Sequence, residues 1–498
     1  MGETLSSRKQ ILESLLALLL IAFWPFFNFY AANLKQDPSI FRLFVVYGIY
    51  ITFVAVLFMI FRPVLRKKFS FSQQAALFAL LNIVFFNFNL FKPYGYGAWF
   101  VAFILTIWLF ARWVKKYSLI PVLISIGLAL NVVPVLKIFR YEWLLKKPVS
   151  ARGDLSEFEG LQFQSHPNIY YILIDGYASP TQMKKYTGLD VQPFIERLES
   201  KGFVVTHKSH ANYPHTYLSL SAALESRYVV EVGKGVIQNR APFYPIIQGN
   251  SRSAQFFKKY GYQYLHFENG FWDGSQCGGF EDHCLKRNRF ALTEMGKQMF
   301  SLTPLLSIWS QVEQWAFFKV DGIGLRSLYL QLQPFFKEQK PFFVFAHIFS
   351  PHPPYYLHSD CSLREEVLGG WTPEPYREQA ECVNKKIGVF LDKILKKDPE
   401  ALIILHSDHG TAFQDQFSKL VTQWTDDEIA ERTQIFSAFR LPESCKKLAY
   451  ESISPVNNIR LVLSCLSGEK PKYLPDRVFL TANEGEPDYG DVIEVSEK

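Results

Sequence analysis

Asp175, His347, His352 and the pair Asp408–His409 all stand in or just beyond short apolar runs: NIYYILIDG, KPFFVFAHIF followed by SPHPPY, and EALIILHSDHG. Two carboxylates and an imidazole supply the oxygen and nitrogen donors that a Zn²⁺- or Mn²⁺-class ion takes while keeping a coordination position open for chemistry. A hydroxyl is offered by residues 211–221, ANYPHTYLSLS. Pro214 breaks the extended approach, and a helix is expected to begin near His215, which puts Thr216 at the positive end of the helix dipole. Bound to a metal, the Thr216 hydroxyl would lose its proton more easily and act as a nucleophile. Each feature also has a plain structural explanation. An Asp before Gly is commonly a turn residue, Thr216 can serve as a helix N-cap, and Ser219 and Ser221 can be ordinary helix residues.

Positioning these groups requires strands that end together. The four runs NIYYILIDG, KGFVVTH, KPFFVFAHIF and EALIILHSDHG read as short buried strands. They alternate with helical stretches such as Val191–Lys201 and Glu378–Lys397, the pattern of an α/β domain with a largely parallel sheet. In open α/β sheets the carboxyl ends of the strands form the ligand crevice, so three strands deliver Asp, His and Asp-His to one edge.

The first 150 residues are of another kind. They carry a net charge of +12 against −5 for the rest, and no acid occurs between Phe41 and Tyr141. Five apolar runs fill them: Ile11–Tyr30, Leu43–Phe61, Gln74–Leu90, Ala98–Ala111 and Leu119–Leu136. Runs of this length suit a bilayer core of about 30 Å. The basic excess belongs to this apolar half, which excludes a nucleic-acid binder. Arg8 and Lys9, then Arg62 to Lys68, then Arg112 to Lys116 mark cytoplasmic connections, so five crossings place everything beyond Leu136 outside the cell. Asn82, Asn87, Asn89 and Asn131 could line a transport path, but interhelical hydrogen bonds explain amides equally well. All six cysteines follow the apolar segment, which predicts disulfides in an oxidising compartment, paired as nearest neighbours: Cys277–Cys284, Cys361–Cys382 and Cys445–Cys465. The expected organisation is a five-helix transmembrane domain over 1–138, a juxtamembrane linker over 139–167 and an extracytoplasmic domain over 168–498.

ILIDGY, NYPHTYLSLSAAL, HIFSPHPPY and ILHSDHG, in this order over roughly 168–441, resemble the alkaline phosphatase/sulfatase superfamily. Five amino-terminal membrane helices before such a domain look like the lipoteichoic acid synthases and phosphoethanolamine transferases. The resemblance implies an alkaline phosphatase-like fold with one divalent metal, Zn or Mn, held by Asp175, Thr216, Asp408 and His409. Thr216 would be the covalent nucleophile, and His352 would sit where these transferases keep a substrate-contacting histidine. His347 would serve beside the substrate or behind a ligand, Asn212 would hold a phosphate oxygen or stabilise its own loop, and His266 and Trp272 loosely match a head-group-contacting segment. The implied activity is transfer of a phospho-head-group, of phosphoethanolamine or phosphoglycerol type. A membrane lipid is the donor and an envelope lipid or glycan the acceptor, at a bacterial-type inner membrane with the catalytic domain periplasmic or extracellular. Hydrolysis of phosphate or sulfate esters at the same site is the alternative, and a silent envelope scaffold or a transporter are the non-enzymatic ones. Three departures are visible. The Thr216 segment lacks the C/S-x-P-x-R context of formylglycine sulfatases, no His follows His409, and the first ligand is Asp where both transferase groups use Glu.

Overall fold

A computed structural model of the chain describes residues 2–34, 40–113, 118–145, 155–232, 240, 242–269, 273–286, 294–305, 323–482 and 491–495. The backbone divides into two compact units, Met1–Pro148 with Leu292–Gln314, and Val149–Ala291 with Trp315–Lys498. The division differs from the expected boundaries in placing Leu292–Gln314 with the amino-terminal unit.

Among the described residues of Met1–Pro148 there are five α-helices, α1 (Gly2–Ala32), α2 (Ile40–Leu65), α3 (Phe71–Phe86), α4 (Gly95–Trp113) and α5 (Ile120–Phe139), and the helix Glu294–Ser301 belongs to the same unit. Four apolar spans, Arg8–Ala32, Leu43–Leu65, Gly95–Trp113 and Ile120–Trp143, have the length and composition to cross a membrane. At 16 residues, α3 is shorter. It rises about 24 Å and is carried on by the 3₁₀ turns Phe88–Leu90 and Lys92–Tyr94. The buried amides of this unit serve packing. Asn131 Nδ2 on α5 donates to the Leu20 carbonyl of α1 at 2.9 Å, where Gly127 lets the helices approach; a Cβ there would lie 2.6 Å from that of Leu20. Tyr50 donates its hydroxyl to Asn82. These bonds answer the transport-path alternative with an interhelical role.

The second unit is a three-layer sandwich. Its strands are β1 (Ile169–Ile174), β2 (Phe203–Thr206), β3 (Gln263–Glu268), β4 (His283–Lys286), β5 (Phe342–Ile348), β6 (Tyr355–Leu357), β7 (Leu363–Leu368), β8 (Leu402–His406), β9 (Ser437–Arg440), β10 (Val478–Thr481) and β11 (Val492–Val495). Seven form one sheet in the order β2-β9-β8-β1-β5-β3-β4. It is parallel from β8 to β4, and β9 runs antiparallel to both β8 and β2. All four expected strands are present. Residues of β1 alternate between two cores. Tyr170, Ile172 and Ile174 pack with Leu198, Leu328 and the long helix Pro373–Lys397, while Ile169, Tyr171 and Leu173 pack with the helices Thr216–Glu225, Arg252–Lys259 and Asn458–Ser467. Continuous apolar runs are what strands buried on both faces need.

Disulfides join Cys277 to Cys284, Cys361 to Cys382 and Cys445 to Cys465, as the spacing predicted. The Cys445–Cys465 bridge ties the turn Glu443–Leu448 to the helix Asn458–Ser467 across 20 residues. Serine at both positions should lower the unfolding free energy by about 3 kcal/mol, read as a lower thermal midpoint under non-reducing conditions. An unchanged midpoint, or six freely alkylated cysteines in protein from its native compartment, contradicts this.

Candidate metal and nucleophile site

Strand register sets the site. Leu173 of β1 lies between His347 of β5 and His406 of β8, so the loops that leave these three strands emerge side by side. Asp175 continues β1 by one residue, and Asp408 and His409 follow β8. The chain turns at once after Asp175. Gly176 has φ +66°, and a Cβ there would meet the Trp371 ring at 2.8 Å. Only glycine gives both the left-handed backbone and the space.

Thr216 is the first residue of the helix Thr216–Glu225, with His215 at the N-cap. Its hydroxyl does not cap the helix. Thr216 Oγ1 lies 3.1 Å from His409 Nε2. His409 Nε2 also lies 3.6 Å from Asp175 Oδ1 and 3.4 Å from Asp408 Oδ2. The two carboxylates are 2% and 0% exposed, and those two oxygens have no hydrogen-bond partner. Each aspartate's other oxygen is occupied. Asp408 Oδ1 accepts from Gly176 N at 3.1 Å, and Asp175 Oδ2 accepts from His347 Nε2 at 3.0 Å. Orphaned, buried carboxylate oxygens are costly unless a cation meets them. A divalent ion fits the set Asp175, Asp408, His409 and Thr216. Burial and the neighbouring Asp408 charge drive the Asp175 carboxyl well above the usual range. Asp408, although burial opposes its charge, is held low by His409, His347, the Gly176 N–H and Thr216. Burial, then the Arg432 charge, keeps His409 neutral, as a nitrogen ligand must be.

The structure brings His352 to the same place. Ligand atoms of Asp175, His352 and His409 lie within 4.8 Å of one another. His352 Nδ1 donates to the Pro353 carbonyl at 2.6 Å, which leaves Nε2 as the nitrogen offered to the site. Its ring stands edge-on to Trp371, with centroids 5.0 Å apart. His347 stands behind Asp175. The Asn269 amide donates to His347 Nδ1 at 3.4 Å, so Nε2 carries the proton given to Asp175. Burial lowers its pKa to about 4.

Two expected contacts are not brought to the site. Asn212 spends its amide on backbone, donating to Arg477 O at 2.9 Å and accepting from Val456 N at 3.0 Å, so it stabilises a loop. His266 is fully buried on β3, its ring nitrogens bonded to Tyr264 Oη at 3.0 Å and Ser275 O at 3.1 Å. A head group cannot reach it. Trp272 lies outside the described residues. His358 pairs with Glu378, and Asp360 accepts from Ser362 within its own turn.

Three residues escaped the sequence reading: Trp371, Glu431 and Arg432. None lies in a motif or at a telling spacing. Trp371 packs against His352, His409 and Phe413. The Glu431 carboxylate accepts from Thr411 Oγ1 at 2.8 Å and Phe413 N at 2.6 Å, fixing the loop beyond His409. Gly410 donates its N–H to Arg432 O at 2.7 Å, and a Cβ there would strike the Glu431 carbonyl oxygen. Gly410→Ala should therefore cost about 1–3 kcal/mol in the metal-free protein and weaken metal binding, because the backbone carrying His409 must shift. Thermal melting with and without metal checks this; a melt equal to wild type in both states contradicts it.

The sulfatase family model matches residues 167–442. Comparison with curated protein sequences finds no match. Among solved structures, the chain is similar to the C-terminal periplasmic domain of EcEptC from Escherichia coli (12% identity, TM-score 0.42, covering 67% of this chain and 95% of that one). It is also similar to the C-terminal periplasmic domain of phosphoethanolamine transferase EptC from Campylobacter jejuni (12%, TM-score 0.37, 64% and 97%). A third is the phosphonate monoester hydrolase of Agrobacterium radiobacter (12%, TM-score 0.40, 65% and 82%). The family match spans more than half of the chain and takes in every residue of the Asp175–Thr216–His352–Asp408–His409 cluster, so the chain belongs to the sulfatase family.

Proposed function

We propose that the protein is a membrane-anchored, metal-dependent phosphotransferase that moves a phospho-head-group from a membrane lipid to an envelope lipid or glycan through a phospho-threonine at Thr216. The observation that carries this is the convergence of Thr216 Oγ1 and His409 Nε2, 3.1 Å apart, on the two unpartnered oxygens of Asp175 and Asp408. A zinc- or manganese-class ion held there would supply a lowered proton affinity at the Thr216 hydroxyl and charge neutralisation. Thr216 Oγ1, its proton given up to solvent, attacks phosphorus as the alkoxide, and the bond to the departing alcohol breaks. His352 Nε2 gives that alcohol its proton. An acceptor hydroxyl then returns a proton to His352 and takes the phospho-head-group, freeing Thr216 as the alkoxide that began the cycle. His347 holds Asp175 in place throughout, and Trp371 packs against the rings of His352 and His409.

Support for the compartment comes from the Lys/Arg distribution of the apolar half and from three disulfides in the catalytic unit. In this reading the amino terminus is cytoplasmic and the catalytic unit lies outside. Lipid mass spectrometry of cells lacking or overproducing the protein should show one head-group-modified envelope component lost and gained in step. Unchanged envelope lipids and glycans, with release of free phosphate or sulfate from an ester by the purified protein, would favour the hydrolase instead.

A further inference from the structure

Three arginines are buried among the described residues of the catalytic unit: Arg252, Arg432 and Arg460, at 4%, 4% and 3% exposure. Arg252 and Arg460 share the Glu157 carboxylate. Arg432 has no acidic partner among the described residues. Its Nε donates to the Pro214 carbonyl at 2.7 Å and its Nη1 to the Gly410 carbonyl at 3.0 Å. Nη2 makes no hydrogen bond among the described residues and is not sealed from solvent. The guanidinium is sandwiched, 4.8 Å over the Phe417 ring and 5.7 Å over Trp371.

A buried cation without a counter-charge is unfavourable unless something anionic meets it. The guanidinium lies close enough for the Asp408 and Asp175 charges to act on it, yet burial still lowers its pKa to about 10. Those two carboxylates would balance a bound divalent ion, and the third acidic charge acting on the guanidinium, Glu431, turns its oxygens to Thr411, Phe413 and Gln414, so Arg432 keeps no acidic hydrogen-bond partner of its own. Its two committed nitrogens join the loop entering Thr216 to the loop leaving His409, so the third is held beside both. We propose that Arg432 is the substrate-anion-binding residue of this site, its Nη2 donating to a non-bridging oxygen of a tetrahedral phosphate or sulfate ester. This rests on the ester-transfer reading above, and it adds the group that recognises the substrate's charge.

The test is calorimetric titration of inorganic phosphate and of sulfate into the full-length, zinc-loaded protein in detergent, comparing wild type, R432K and R432Q, with thermal melts of each. A charge-assisted hydrogen bond predicts that R432Q binds the preferred anion about tenfold to a hundredfold more weakly, with R432K intermediate. A purely structural clamp would lower the melting point and leave the affinity of the folded protein unchanged. Should R432Q fail to fold, R432K decides by the same criterion, since lysine keeps the charge but cannot serve two carbonyls and the anion together. Wild-type affinity in either folded variant overturns the proposal and leaves the ester-transfer reading standing. A wild type that binds neither anion overturns both.

Discussion

Thr216→Ala should abolish turnover, by about 10⁴-fold or more, even when metal is supplied in excess to offset the lost hydroxyl ligand, while leaving the fold intact. The two effects separate by magnitude. Thr216 makes no cap bond to its own helix, and the N-cap position belongs to His215. Alanine therefore removes one hydroxyl contact to His409, at a structural cost of about 1 kcal/mol. Ser221 offers no replacement for the covalent step, being committed to the Tyr217 carbonyl at 2.6 Å. Thr216→Ser should retain partial activity because it keeps the hydroxyl. Suitable assays are head-group transfer in membranes and cleavage of a chromogenic phosphodiester by the full chain. A Thr216→Ala protein that works at near-wild-type rate would make the residue structural. Ser219, buried with its hydroxyl unpartnered, would then be the next candidate.

Asp408→Asn should act in opposite directions with and without metal. In the metal-free protein two buried carboxylates crowd His409, and the pair opposes ionisation of Asp175. An amide at 408 removes that repulsion, so the metal-free variant should melt at or above the wild-type temperature. With metal the order reverses. Wild type gains about 2.7 kcal/mol at a metal concentration a hundredfold above its Kd, and the variant gains little. Loss of a charged ligand should weaken binding by about a hundredfold or more, given that changes to groups merely supporting a ligand already cost about ten- to a hundredfold. Elemental analysis and paired melts read both effects. Equal metal content in wild type and variant would exclude Asp408 as a ligand.

Much of this site was legible before the fold was known, because the strands that carry it are written as unbroken apolar runs. YYILI, FFVFA and ALIIL could only be buried strands, and the polar residues at their ends had to share an edge. The segment that carries Thr216 was legible through Pro214 and the helical pattern after it. The partners of Asn212 and His266 are not legible, because local sequence does not reveal what a polar side chain will meet. Asn212 finds the backbone of residues 456 and 477, and His266 finds Tyr264 and Ser275 inside the sheet. Arg432 and Trp371 were invisible for the converse reason. Trp371 comes from a segment with no pattern of its own; Arg432 closes the helix Asp426–Thr433, whose capping box Thr425–Glu428 announces a helix but not that its last turn will meet Pro214 and Gly410. The antiparallel β9 was likewise hidden, since SAFR is too short and too mixed to announce a strand.

The most direct test is to catch the intermediate. Full-length protein loaded with metal and mixed with a phospholipid donor, without an acceptor, can be quenched in acid within milliseconds to seconds. The peptide Ser209–Arg227, released by cleavage after Lys208 and Arg227, is then weighed and sequenced by mass spectrometry. Thr216 in wild type is expected to carry an adduct with the mass of the phospho-head-group, discharged when an acceptor hydroxyl is added and absent from Thr216→Ala. Head-group transfer proceeding at full rate with Thr216 unmodified at every time point, or with the adduct on another residue, would contradict it.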